Sequence, residues 1–145
     1  MYRKILVALE NGPADDTLIP HVTALAQELG SALHLLHVAD GWAARNFEQL
    51  KLAESDEMKS DRAYLDARAA ALRDRGLQAT TELALGNPPT EIVKVALAAH
   101  CDLIAFASHG HKLLGDLMHG STIDKVRHET TIPMLVVRAA RPPHN

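Results

Sequence analysis

Short aliphatic runs alternate with segments of helical spacing along the whole chain, and this alternation limits the fold more than any other feature. The aliphatic runs are Lys4–Leu9, Ala32–Val38, Asp102–Ala107 and Ile132–Val137, and a fifth strand is predicted at Leu77–Leu85, which alternates and contains β-branched residues. Continuous aliphatic runs of this length are typical of strands that are buried on both faces of a parallel sheet. Strands that alternate with helices in this way form a parallel sheet with helices on both faces. The sequence therefore predicts a single α/β domain of the doubly wound type.

Four segments between the runs have helical spacing, and capping residues and glycines mark their ends. Asp16 is expected to cap the first helix, so that Pro20 falls in the first turn and its missing N–H is tolerated. Gly30 ends this helix, and Gly76 ends the next, a long charged segment expected to be a solvated face with ion pairs at helical spacing. Asn87, followed by two prolines, is expected to cap the third helix. The fourth opens with Gly-Ser-Thr.

The composition is that of a globular domain and argues against several classes of partner. The chain has 145 residues, 47% of them hydrophobic, and its 15 basic residues are scattered along the sequence. Nucleic-acid-binding proteins concentrate Lys and Arg on one face, so we expect no nucleic-acid partner. No run is long and apolar enough to suggest a membrane span, and a strand-like run from residue 4 leaves no room for a signal peptide. The single Cys101 cannot form an internal disulfide, and we expect a cytoplasmic protein.

Two strand ends carry residues suited to a ligand. Doubly wound sheets bind ligands beyond the carboxyl ends of their strands, where the strand order reverses. The first strand ends in Glu10, and the fourth ends in Ala107 and leads to Gly110, so these loops face each other if the two strands are neighbours. Ser121 lies near the start of a helix, where unpaired backbone N–H groups suit a phosphate. The alternative is that Ser121 is only an N-cap and Gly110 only a turn residue.

Other ligand motifs fail on their chemistry. Asp116 stands where a P-loop needs its lysine, and no dinucleotide-binding glycine motif or serine-hydrolase elbow is present. His34 and His37 are an odd number of residues apart on one strand, so they point to opposite faces and cannot share a metal ion. His109 and His111 could converge, but no further ligands complete a zinc set. We expect no protein metal site, and expect these two histidines to contact phosphate or the loop itself.

The segment from the fourth strand to the fourth helix also carries a family signature. The universal stress proteins have G-x-x-G, nine residues and then G-[ST]; here Ala107-Ser-His-Gly110 is followed by nine residues and Gly120-Ser121. The chain resembles this family from "KILVAL" to "IPMLVV", through "LLHV", "GNPPTEIVKVA" and "DLIAFASHGH". The resemblance implies one domain over residues 1–138 with strand order 3-2-1-4-5 and a flexible tail at 139–145. It also implies a homodimer that pairs through the strand at 132–137.

The resemblance further implies a set of residues that hold an adenine nucleotide, which is ATP or the related AMP or ADP, with Mg²⁺ only as part of the nucleotide complex. Adenine would lie against Ala8, Glu10 and Val38, the ribose against Phe106 and Ala107, and the phosphates against Gly110, Gly120, Ser121 and Thr122.

Two residues depart from the family pattern. Glu10 stands where the family usually has Asp, and Ala107 stands where it has the first glycine of the signature. We expect Ala107 to continue the β conformation of its strand, with its methyl group crowding the ribose. The implied function is a nucleotide-binding stress sensor or regulator, with at most slow ATP hydrolysis. The alternative is a nucleotide-free dimeric module of the same fold that acts through its surface.

Overall fold

The computed structural model describes residues 1–39, 56–108 and 120–139. These residues form five strands and four helices, whose bounds are β1 Lys4–Leu9, α1 Asp15–Leu29, β2 Ala32–Ala39, α2 Asp56–Asp74, β3 Ala79–Leu85, α3 Pro88–Ala98, β4 Leu103–Ser108, α4 Gly120–Glu129 and β5 Met134–Arg138. No helix in the described part of the chain is both long and apolar enough to span a membrane. Of the predicted flexible tail, all but Ala139 lies outside the described residues.

All strand pairs in the described sheet are parallel, and the strand order is β3-β2-β1-β4-β5. The predicted fold and strand order are therefore confirmed. β1 pairs with β2 on one side and with β4 on the other, with Leu9 opposite His37 and Val7 opposite Ala105. The chain order reverses at this point, so the carboxyl ends of β1 and β4 border the crevice where ligands bind in such sheets.

Side chains alternate between the two faces of the sheet along each strand, and helices cover both faces. Val7 and Leu9 of β1 point to the face covered by α1 and α2, and Leu6 and Ala8 point to the face covered by α3 and α4. The side chains from Ile5 to Leu9 are all fully buried. This explains the unbroken aliphatic run: a central strand with helices on both sides has no solvent face.

The ends of α1 and α3 agree only in part with the sequence analysis. Gly30 ends α1 in the left-handed conformation, as expected, and Asn87 caps α3 by accepting a hydrogen bond from the backbone N–H of Thr90. The prediction that Asp16 caps α1 is wrong. The helix already begins at Asp15, its N-cap position makes no side-chain capping bond, and Pro20 therefore lies beyond the first turn.

The prediction for α2 was also incomplete, because this helix is more than a solvated face. It buries five side chains, those of Met58, Asp61, Leu65, Ala69 and Leu72. Arg68 pairs with Asp16 of α1, with 2.8 Å between its Nη2 and the carboxylate Oδ1. α2 is thus tied to α1 by polar contacts as well as by its apolar stripe.

β5 begins two residues later than the run at 132–137 predicts, at Met134. Pro133 has no backbone N–H to give to the sheet, but its carbonyl accepts a hydrogen bond from the N–H of Ile104 at 3.0 Å. In the described sheet β5 lies at one edge, and Val136 on this strand is 46% exposed.

Asp102 holds the start of β1 beside β4, and this contact makes stability depend on pH. Its carboxylate accepts the backbone N–H groups of Arg3 and Lys4 at 2.9 and 3.1 Å. Burial alone would raise the pKa of Asp102, but the two N–H groups outweigh burial, and the pKa lies below its ordinary value. The stabilisation is therefore present above the ordinary carboxyl pKa and is lost as the pH falls through the lower pKa of the folded state.

We predict that Asp102→Asn lowers the free energy of unfolding at pH 7 by about 0.5–1 kcal/mol, because the ionised acceptor of two N–H groups is lost. The difference between wild type and variant should shrink as the pH falls from about 5 to about 2, as measured by urea denaturation. Asp74→Asn, which neutralises an exposed carboxylate at the end of α2, is the matched control. A difference that stays constant over this pH range would contradict the assignment.

Candidate functional site

The described residues of the predicted site lie at the carboxyl edge of the sheet and at the start of α4. Leu9 is opposite His37, so Glu10 and Val38 both follow directly after this pair. Val7 is opposite Ala105, so Phe106 and Ala107 extend β4 beyond it along the same edge. Three neighbouring strands, β2, β1 and β4, therefore bring their predicted ligand residues together.

Most of these side chains share one face of the sheet. Ala8, Val38 and Phe106 are buried in the apolar cluster that also contains Val126 of α4. Val126 anchors α4 against this cluster, and the helix begins at Gly120 on the same face. The first N–H groups of a helix have no partner within the helix, and its N-terminus carries a partial positive charge. A helix N-terminus, which in general suits an anion, thus lies on the face to which three of the strand-end residues point.

The hydroxyl residues at the start of α4 differ in exposure. Ser121 is exposed, whereas Thr122 is buried, with 5% of its surface accessible. Ser121 can therefore reach a ligand from solvent more readily than Thr122 can. His109, Gly110 and His111 are outside the described residues.

Ala107 has the expected backbone but not the expected side-chain environment. It continues β4, which ends at Ser108, so its backbone is extended. Its methyl group is 1% exposed and packs into the cluster under α1 and α2, on the face opposite to Ala8 and Phe106. The prediction that this methyl group crowds a ribose therefore loses its physical basis.

The loop between β1 and α1 is held by a buried carboxylate that the sequence analysis did not single out. Asp15 is completely buried, and its two carboxylate oxygens accept the backbone N–H groups of Glu10 and Asn11 at 3.0 and 2.9 Å. The phenol of Tyr64 on α2 donates a third hydrogen bond to Asp15, at 2.5 Å. Three donors thus compensate the burial of one charge.

A second buried carboxylate, Asp61 of α2, lies beside the same loop. Its Oδ1 accepts a hydrogen bond from the side-chain amide of Asn11 at 2.6 Å, and its Oδ2 is 3.6 Å from Nε2 of His37. The other ring nitrogen of His37 lies 2.9 Å from the carbonyl oxygen of Leu9, which can only accept, so Nδ1 is the donor there. The residues that end β1 and β2 are therefore linked to α2.

The remaining groups that could carry chemistry are accounted for by packing. His34 contacts Thr80 and Glu82 of β3, and His37 contacts Leu9 and Asp61, so the two histidines point to opposite faces as predicted. Burial raises the pKa of the Cys101 thiol to about 11. Within the described residues, no three His, Cys, Asp or Glu side chains are grouped so that they could hold a metal ion.

A model of the universal stress protein family matches residues 1–138. The chain belongs to the universal stress protein family. Among its relatives are universal stress protein MJ0577 of Methanocaldococcus jannaschii, 28% identical over 95% of this chain and 96% of the relative, and universal stress protein YxiE of Bacillus subtilis, 27% identical over 95% of this chain and the whole of the relative.

Solved structures of universal stress proteins share the fold. The structure of MJ0577 superposes with a TM-score of 0.76 at 26% identity and covers 98% of this chain and 99% of that one. Two more distant structures hold nucleotides: one from Archaeoglobus fulgidus is a complex with dAMP, at a TM-score of 0.66 and 17% identity, and another is a complex with cAMP, at 0.64 and 14%. They cover 94% and 96% of this chain and 98% of their own chains.

We predict that Ala107→Gly lowers the free energy of unfolding by about 1–2 kcal/mol. The substitution removes a buried methyl group and adds backbone freedom in the middle of a strand. Ala63→Gly, at an exposed position of α2, is the control for the backbone effect alone and should cost about 1 kcal/mol or less. Urea denaturation of the three proteins tests this, and a fully stable Ala107→Gly variant would contradict the packing described here.

Proposed function

We propose that this universal stress protein binds ATP, or the related AMP or ADP, and acts as a stress-response sensor or regulator in the cytoplasm. The observation that carries the proposal is the start of α4 at Gly120 on the face to which Ala8, Val38 and Phe106 point. A helix N-terminus suits the phosphates of a nucleotide, and an apolar strand edge suits its base. The dAMP and cAMP complexes of proteins with the same fold support this ligand class.

At the base end of the proposed site, the ligand contacts come from β1 and β2. Ala8 and Val38 are fully buried, so they would form the floor of the site and offer backbone groups, and Glu10 offers a carboxylate that can accept a hydrogen bond from the amino group of adenine. Phe106 and the backbone of Ala107 would lie beside the ribose, with the Ala107 methyl group pointing to the other face of the sheet. Phe106 is fully buried, so it would shape the floor of the site rather than stack on the base.

At the phosphate end, the contacts would come from α4 and the segment before it. Gly120, Ser121 and Thr122 supply the first N–H groups and hydroxyls of the helix. His109, Gly110 and His111 complete the proposed cradle, and Mg²⁺ would arrive with the nucleotide. Asp116 stands where a P-loop has its lysine, so we propose a regulator that hydrolyses ATP slowly at most.

We predict that wild-type protein binds ATP in isothermal titration calorimetry and that Gly120→Val weakens binding at least tenfold. Valine places a branched side chain at the helix start, where a phosphate must approach the backbone. Gly120→Ala, with one added methyl group, should fall between the two.

Equal melting temperatures of the three proteins would separate a local steric effect from a folding defect. A folded Gly120→Val variant with unchanged ATP affinity would contradict the phosphate site. A wild-type protein that binds no adenine nucleotide at millimolar concentration would favour the nucleotide-free module that acts through its surface.

We also propose that the protein is a homodimer that pairs through the last strand. β5 lies at one edge of the described sheet, and Val136 is an exposed apolar side chain on it. An apolar edge strand tends to pair with another chain, and two copies that pair through β5 would each cover the β5 edge of the other. Of the strand predicted at 132–137, the residues from Met134 onward belong to β5 and supply this surface.

We predict that Val136→Lys shifts the protein toward monomer in light scattering, because a charge at an apolar interface core is costly to desolvate. Val136 is half exposed within one subunit, so the substitution should leave the fold intact. Leu29→Lys, at an exposed leucine at the end of α1, is the matched control and should not change the mass. A wild-type protein that is already monomeric at tens of micromolar would contradict the dimer.

A further inference from the structure

The buried carboxylate of Asp15 determines what the loop after β1 can offer to a ligand. Both N–H groups at the loop's start, those of Glu10 and Asn11, donate inward to Asp15 at 3.0 and 2.9 Å. These N–H groups are therefore not offered to a ligand outside. The loop presents acceptors instead, among them the Glu10 carboxylate, and so suits a ligand group that donates.

Asn11 is held in its conformation by contacts from two helices. Its φ is +61°, in the left-handed region, which asparagine tolerates better than most residues with a side chain. Here Asp15 accepts the N–H of Asn11, and Asp61 of α2 accepts its side-chain amide at 2.6 Å.

Tyr64 connects this arrangement to α2. Its hydroxyl donates to Oδ2 of Asp15, the oxygen that also accepts the N–H of Asn11. Burial, and after it the hydrogen bond to Asp15, raises the pKa of Tyr64, so the phenol keeps its proton and remains a donor. The guanidinium of Arg68 lies over the face of the ring, 5.1 Å from its centre, and donates a hydrogen bond to Asp16 of α1.

We propose that Asp15 and Tyr64 are positioning residues, which hold Glu10 where its carboxylate accepts a hydrogen bond from the bound base. The inference rests on the proposed function, since it assigns a role to residues behind that site. Neither residue touches the nucleotide, and each acts on it only through the loop. α2 thereby becomes part of the specificity of the site, although its own side chains lie beneath it.

A double-mutant cycle on ATP affinity tests the inference, because two residues that act through one contact give non-additive effects. Tyr64→Phe keeps the ring and removes only the donor to Asp15, and it should weaken ATP binding about three- to tenfold. Glu10→Gln should weaken binding about tenfold and leave it measurable. In the Glu10→Gln background, Tyr64→Phe should change the affinity less than about twofold.

Tyr2→Phe makes the same chemical change just before β1, at the opposite edge of the sheet, and should leave ATP affinity unchanged. Hydrogen exchange supplies a second measurement. Tyr64→Phe should speed exchange at the amides of Glu10 and Asn11 and leave the amides of β1 protected.

The possible results distinguish a failure of the proposed function from a failure of the positioning role alone. A wild-type protein that binds no ATP overturns the proposed function, and this inference with it. Where wild type binds, a Tyr64→Phe variant of unchanged affinity overturns the positioning role alone. An equal loss of affinity in the Glu10 and Glu10→Gln backgrounds, or faster exchange throughout β1, would show that Tyr64 supports the fold in general, and this too overturns the inference.

Discussion

β1 is hydrogen-bonded to a neighbour on each side and covered by helices on each face, and the other elements take their places from it. Its side chains from Ile5 to Leu9 have no exposed surface. The burial of aliphatic side chains such as these is a main source of folding stability for a domain of this size. It also fixes where polar groups can appear, because the first residue at which the chain can be polar again is Glu10, at the carboxyl edge. The candidate site lies there for that reason.

The apolar core ends abruptly at this edge, and two buried carboxylates bond to the polar groups beneath it, one near in sequence and one distant. Asp15 and Asp61 come from different helices, yet both bond to the loop that ends β1. A buried carboxylate is tolerated when donors surround it and is costly when they are removed. The loop and α2 therefore depend on each other, and the site inherits the geometry of a helix that contributes no proposed ligand contact.

Local patterns sufficed to predict the strands and most helix ends. Burial on two faces and helix capping each require particular residue types within a few positions of one another. The aliphatic runs, Gly30 and Asn87 are examples. The start of α1 could not be predicted in this way, because neither of the two adjacent aspartates caps the helix: Ala14 is the N-cap residue, and the Asp15 carboxylate bonds back to the loop. The role of Asp61 is equally invisible in sequence, since its partner is fifty residues away. To predict the direction in which the Ala107 methyl group points, one needs the register of β4.

Cys101 bears on the kind of stress that can act on this chain directly. It is the one cysteine of the sequence, and burial raises the pKa of its thiol to about 11, so at pH 7 only about one molecule in ten thousand carries the thiolate. Oxidants attack the thiolate, and they do so at accessible sulfur. Peroxide and disulfide stress therefore do not act on the folded protein through this thiol.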